Sequence, residues 1–309
     1  MRTHAFAHLR RFAPDSLRHV GNRETLDAMT CAMNPDHEVN RTSWDELAVA
    51  HGQDAYYDSD ALVAGASSLI EEEEAALLVA MGTDLTGRRV LQLQCHLAFD
   101  AITFARRGAQ VTAVDFSPVA LSKAQSLARR SKVEIEWVCA DATALPASLS
   151  GNFDLAWATI GILCWISDLK EWMRSAAGAL CPGGRLILID GHPLNRILKS
   201  DPLRVARPYV GARVFYDVGW DYATSMRAGP QVQFLHSLGE IVSAAAEAGL
   251  YVTHLCEHTD VSHGLCNEQL QQEEDGRFRR RIDGYPLPVL FTMIASAEAP
   301  STAAAAMNA

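Results

Sequence analysis

The stretch RVLQLQCHLAFDAITFARRGAQVTAVDFSPVALSKA (89–124) decides the fold. Its apolar opening, RVLQLQ (89–94), predicts a strand, and a helix follows over 99–107 that stops at Gly108. AQVTAVD (109–115) predicts a second strand. Pro118 then opens a helix to Arg130, in the first turn, where a missing backbone N–H is no loss. The alternation continues beyond this stretch. Strands are expected at 133–141, 153–159 and 184–190, with a helix over 168–180 ended by Cys-Pro-Gly-Gly. A helix over 238–248 and strands at 251–258 and 287–295 complete the series. Continuous apolar strands separated by helices are buried on both faces, which specifies an α/β fold with a doubly wound sheet of seven strands.

In such a sheet a ligand sits at the carboxyl ends of the strands, beside the first of them. Dinucleotide cofactors need glycines in the first strand-to-helix turn, because the backbone must approach a pyrophosphate. Here that turn reads QLQCHLAFD (92–100), and no glycine occurs between Gly87 and Gly108. NAD and FAD are thereby disfavoured, while a nucleoside cofactor without phosphates tolerates side chains in the turn. Asp115 ends the second strand, nineteen residues after His96, where a carboxylate can accept both ribose hydroxyls. Asp141 ends the third strand, where it can accept from an adenine amino group or serve as an ordinary helix cap.

These segments resemble class I S-adenosylmethionine-dependent methyltransferases over roughly 44–297. They resemble in particular a subgroup whose glycine-rich turn is replaced by a Leu-Gln-Cys-His core. The match runs through 90–124, ADATALP (140–146), GILCWISDL (161–169), DGHP (190–193) and HSLGEI (236–241). Gln92 stands where most class I enzymes carry an acid, and Ala98 where the subgroup usually carries glycine. The resemblance implies a Rossmann-like sheet whose last strand is antiparallel and S-adenosyl-L-methionine as cofactor. It also implies cofactor contacts at Gln94, Cys95, His96, Asp115, Phe116, Asp141 and Ala142.

Acceptor residues are sought on the same strand edge. Trp165 follows the fourth strand, His192 follows the fifth, and His236 returns from a long insertion at 193–235. Either imidazole is a candidate general base, since it titrates near neutral pH. Six aromatics fall in the insertion: Tyr209, Phe215, Tyr216, Trp220, Tyr222 and Phe234. They suit an aromatic lid over the acceptor, with Tyr209 and Tyr222 as substrate contacts, or the packing of a hairpin. His254, Cys256, His258, His263 and Cys266 lack the turn spacings of zinc sites, so no metal is expected. The acidic 268–275 segment followed by Arg277, Arg279, Arg280 and Arg281 reads as a solvated loop.

Of the 309 residues 49% are apolar and 21% charged, and the net charge is −10. An acidic chain without a basic stripe is a poor nucleic-acid binder. No apolar run reaches the roughly 18 residues that a membrane span needs. Seven scattered cysteines without a CxxC pair suit a reducing, cytoplasmic setting. The expected organisation is an N-terminal arm (1–43), a helical lid (44–88), the catalytic domain (89–297) and a disordered tail (298–309). Met33 offers an alternative translation start, and a homodimer is compatible with these features.

The function expected from the residues and the resemblance together is methyl transfer to a small-molecule acceptor in specialised metabolism, an O or N nucleophile being favoured. The alternative is a non-catalytic S-adenosylmethionine-binding protein of the same fold. A nicotinamide-linked oxidoreductase is the third reading.

Overall fold

Seven strands form one sheet: β1 (Arg89–Gln92), β2 (Gln110–Asp115), β3 (Glu136–Cys139), β4 (Phe153–Thr159), β5 (Leu180–Gly191), β8 (Tyr251–His258) and β9 (Leu290–Ser296). Between β5 and β8 a two-stranded ribbon pairs β6 (Ala212–Tyr216) with β7 (Gln231–Leu235). The sheet order is β8-β9-β5-β4-β1-β2-β3, and only β9 runs antiparallel to its neighbours. The chain order reverses beside β1, so the carboxyl ends of β1 and β4 flank the crevice where such sheets bind ligands. This computed structural model describes residues 33–298 except 53, 55, 201–202, 222, 224–226 and 266–268. The arm through residue 32, the tail from 299, Tyr222 and Cys266 therefore lie outside the described residues. Among the described residues no helix is long and apolar enough to cross a membrane.

Eight helices are described: α1 (Pro35–Ala50), α2 (Ser59–Ala64), α3 (Glu71–Met81), α4 (Phe99–Arg106), α5 (Pro118–Arg130), α6 (Leu169–Ala179), α7 (Pro193–Ile197) and α8 (Leu238–Glu247). Their starts follow capping chemistry. Ser117 accepts the Ala120 N–H ahead of Pro118, Asp168 accepts from Lys170 and Glu171, and Ser237 forms a capping box with Glu240. One sheet face packs Trp172, Met173 and Ile241 from α6 and α8. The other packs Leu77 and Phe104 from α3 and α4 against Trp157, with the Phe104 and Trp157 rings edge to face at 4.9 Å.

Several boundaries differ from expectation, and three of the differences have a visible cause or consequence. β1 ends at Gln92 because the backbone turns left-handed at Gln94. β5 begins at Leu180, so Cys-Pro-Gly-Gly lies within a strand; a Cβ on Gly184 would sit 2.7 Å from the Phe153 carbonyl oxygen. α1 begins at Pro35 and runs through the boundary expected at 43/44. Asn40 fastens it to β7, donating to the Val232 carbonyl and accepting the Val232 N–H, both at 2.8 Å. This helix is part of the domain and not of an arm.

Candidate functional site

A cavity of about 1300 Å³ opens at the carboxyl ends of these strands. Small-molecule pockets usually hold roughly 300–1,000 Å³, so this one has room for a cofactor and an acceptor together. One wall is the turn between β1 and α4. Gln94, His96 and Ala98 adopt φ of 51°, 47° and 58°, a left-handed conformation at three alternating positions, none of them glycine. Each such residue costs roughly 1–2 kcal/mol, so the surroundings must hold the turn. They do so through hydrogen bonds: Cys95 N–H donates to the Val114 carbonyl at 2.9 Å, and Ala98 N–H to the Cys95 carbonyl at 2.7 Å. Gln92 Oε1 accepts the Ala101 N–H at 2.9 Å, and Gln94 Oε1 accepts the Trp172 indole N–H at 3.0 Å. The Gln92 side chain thus fastens the start of α4.

Asp115 lies buried beside this turn. Its two oxygens accept the backbone N–H groups of His96 at 2.8 Å and Ser117 at 2.9 Å. Burial pushes its pKa up to about 6, against the pull of those two donors. A carboxylate has about four lone-pair sites, so acceptor capacity is left for a diol. Phe116 and Ala142 lie on the same cavity wall. Asp141 also lines it, but Oδ2 already meets His37 Nδ1 at 2.5 Å and Oδ1 accepts from the Thr143 N–H and hydroxyl. Burial alone would raise the Asp141 carboxyl; His37 and Thr143 hold it below the usual carboxylate range. The Ser167 N–H donates to His37 Nε2 at 3.1 Å, which puts the imidazole proton on Nδ1, facing Asp141.

Trp165, His192 and His236 all line the cavity, and the two histidines differ in what their nitrogens do. His236 Nε2–H donates to the Ile166 carbonyl at 2.8 Å, leaving the lone pair on Nδ1. Burial keeps this ring neutral by lowering its pKa. His192 Nδ1 accepts the Leu194 N–H at 3.3 Å, capping α7, while Nε2–H donates to Glu257 Oε1 at 2.7 Å. Both of its nitrogens are engaged, so its role as a base is not supported by its surroundings. Burial lowers its pKa, against the pull of Glu257.

Most of the aromatic lining of the cavity comes from outside the insertion expected to supply it. Tyr209 is off the cavity wall, with its hydroxyl at 3.5 Å from the Leu238 N–H, and Tyr222 is outside the described residues. Among the insertion's described rings, Phe234 lies on the wall. Trp44, Tyr56 and Tyr57, from α1 and the segment after it, line the cavity with Trp165. Trp44 stands edge-on to Trp165 at 5.4 Å and to His96 at 5.1 Å between ring centres.

A buried chain of polar groups also went unread in the sequence. Asp221 Oδ1 meets His51 Nε2 at 2.8 Å, and His51 Nδ1 meets His96 Nε2 at 2.8 Å. Burial first, then the neighbouring His51 and Lys123, pushes the pKa of His96 down to about 3, so this ring on the cofactor turn stays neutral. Residues 51 and 221 stand 170 positions apart, and no local pattern links them. Among the described residues no group of three His, Cys, Asp or Glu side chains is arranged to hold a metal.

Residues 90–184 match the family described as "Methyltransferase domain". A ubiquinone biosynthesis O-methyltransferase of Xanthomonas oryzae pv. oryzae is 34% identical over 134 residues, covering 43% of this chain and 53% of that protein. An uncharacterised protein of Mycobacterium tuberculosis is 29% identical over 157 residues, covering 48% and 56%. The chain thus spans about half the length of the curated relatives it matches. Among solved structures, geranyl diphosphate C-methyltransferase from Streptomyces coelicolor A3(2), in complex with S-adenosyl-L-homocysteine, aligns with TM-score 0.52 at 14% identity, covering 86% of this chain and 99% of that one. The [4+2]-cyclase SpnF aligns with TM-score 0.52 at 18% identity, covering 86% and 97%. These structural likenesses establish the class I methyltransferase fold. Since one of them is named a cyclase, activity has to be argued from the site.

Proposed function

We propose that this protein is an S-adenosylmethionine-dependent methyltransferase acting on an O or N nucleophile of a small-molecule acceptor. The observation that carries the proposal is the pairing of the left-handed turn 94–98 with buried Asp115 on one cavity wall. The residues present fit the cofactor: Asp115 keeps acceptor capacity for the ribose hydroxyls, and Phe116 and Ala142 offer apolar surface for adenine. The Asp141 carboxylate, oriented by His37 and Thr143, would accept from the exocyclic amino group of adenine. Gln94, Cys95 and His96 form the turn that would follow the methionine moiety. When bound, the cofactor supplies an electrophilic methyl group on a sulfonium.

The chain's own residues align the acceptor, exclude water and handle a proton. Trp44, Tyr57 and Trp165 make an aromatic enclosure, and much of the rate in such a transfer comes from alignment and desolvation. His236 takes a proton on Nδ1 from an O–H or N–H acceptor, because its other nitrogen is committed to Ile166. The Leu-Gln-Cys-His core at 93–96 supports membership of the subgroup that carries it. The aromatic-lined cavity supports a metabolite acceptor in specialised metabolism, and the free cysteines among the described residues support a cytoplasmic setting.

Incubation of the protein with methyl-labelled cofactor and a fractionated metabolite extract tests this. Label is expected in at least one small molecule and is expected to fall sharply with His236→Ala. Cofactor binding without label transfer to any fraction would mark a non-catalytic binding protein.

A further inference from the structure

Four cationic side chains line one end of the cavity: Arg196 on α7, Lys199, Arg204 and Arg207. They belong to a protein of net charge −10. Among the described residues none of the four stands within ion-pair distance of a carboxylate. The contrast with the 277–281 segment is sharp, where Arg277, Arg279 and Arg281 pair with Glu71, Glu72, Asp260, Glu273 and Asp275. Those three arginines have carboxylate partners, whereas the four cations at the cavity have no such partner among the described residues.

Two further features carry the point. Lys199 and Arg204 face each other directly across a short antiparallel ribbon, an arrangement of like charges that destabilises a strand pair unless something neutralises it. Arg196 donates to Gln233 Oε1 at 2.7 Å, yet its buried Nε has no hydrogen-bond partner. A buried guanidinium donor without a partner carries a desolvation cost that an anion would remove. Arg207 is held near by, donating to the Arg196 carbonyl at 3.3 Å with its guanidinium 5.6 Å from the Tyr216 ring centre. The buried Asp190 carboxylate accepts the backbone N–H groups of Gly161, Leu163 and Gly191 and feels the charge of Arg196, but one carboxylate does not balance four cations.

We infer that this cationic end is an anion subsite for the acceptor, and that the acceptor is a phosphate or diphosphate ester. The inference rests on the methyltransferase reading for the word acceptor, not for the anion site itself. Three arginines and a lysine exceed what a single carboxylate would balance, whereas one phosphate ester carries roughly −1.5 to −2 and a diphosphate more. The subsite adjoins the candidate base: the charge of Arg196 is felt at His236. An ester anchored there would reach from the ribbon toward the aromatic enclosure.

The test titrates inorganic phosphate, pyrophosphate and benzoate separately into the protein, with and without saturating S-adenosylhomocysteine. Pyrophosphate or phosphate is expected to bind saturably, at least tenfold more tightly than benzoate, and more weakly as salt rises. Lys199→Ala/Arg204→Ala, both on the exposed ribbon, is expected to weaken that binding at least tenfold and leave S-adenosylhomocysteine affinity unchanged. Absent or non-saturable binding of both phosphates, binding no tighter than benzoate, or binding indifferent to the double substitution would overturn the proposal. Phosphate binding without S-adenosylhomocysteine binding would keep the subsite and overturn the methyltransferase reading.

Discussion

Asp115 accepts the backbone N–H of His96 at 2.8 Å, tying the end of β2 to the turn that follows β1. The carboxylate that can receive the ribose is thereby locked to the turn that would follow the methionine moiety. Replacing it with alanine should raise the dissociation constant for S-adenosylmethionine at least tenfold, the ~1.4 kcal/mol expected for a lost charge-assisted hydrogen bond. Calorimetry on a variant with native near-ultraviolet circular dichroism checks this. An unchanged constant would mean that the ribose is held elsewhere.

The same carboxyl predicts a pH dependence. Burial raises it from 3.8 to about 6 in the ligand-free protein, so the ionised form that accepts hydroxyl hydrogens is lost as pH falls below that value. Cofactor affinity should be flat from pH 7 to 8 and fall as pH drops below about 6, with Asp115→Asn much flatter. Stability moves the other way. A raised folded pKa makes a contribution that is complete below 3.8 and is lost as pH rises through about 6. Comparing the melting curves of the two proteins between pH 5 and 7 reads that opposite sign.

His236 and His192 should separate in kinetics. His236→Ala is expected to cut turnover by about 10²-fold with little change in cofactor affinity, the low end for loss of a general base. His192→Ala, which removes the α7 cap and the Glu257 contact, should lower the melting temperature and affect turnover less. Equal kinetic losses from both, at equal stability, would contradict the assignment.

Ala98 is fully buried at φ 58°. Ala98→Gly relieves left-handed strain but loses a buried methyl and gains chain entropy, so its stability should stay within about 1 kcal/mol of the wild type. Ala98→Val adds a β-branched side chain where that conformation is least tolerated, in a packed site, and should lose about 2 kcal/mol or more. Denaturant midpoints measure the order.

The sheet was legible because its inner strands are largely apolar, and β4 and the edge strand β8, polar and mostly exposed as it is, fall on the expected residues. Asp115 was legible from its place at a strand end. The first half of α1, before the helical segment expected from residue 44, was not, because the face it buries includes His37, Asn40 and Ser43, polar residues at helical spacing that a search for apolar periodicity passes over. Those side chains turn inward to serve partners distant in sequence: His37 meets Asp141, 104 positions away, and Asn40 meets Val232, 192 away. The relay of Asp221, His51 and His96 is hidden for the same reason. Tyr209 misled in the opposite sense: the aromatic density of the insertion was visible, but which rings face the cavity depends on how the β6–β7 ribbon lies against α1.

The most direct measurement is a calorimetric titration of the wild-type protein with S-adenosylhomocysteine at pH 7.5, with NADH titrated in parallel. The account predicts saturable binding at one site per chain that Asp115→Ala weakens at least tenfold, and no binding of the nicotinamide. A folded protein that gives no saturable binding of S-adenosylhomocysteine, or that binds NADH instead, would contradict it.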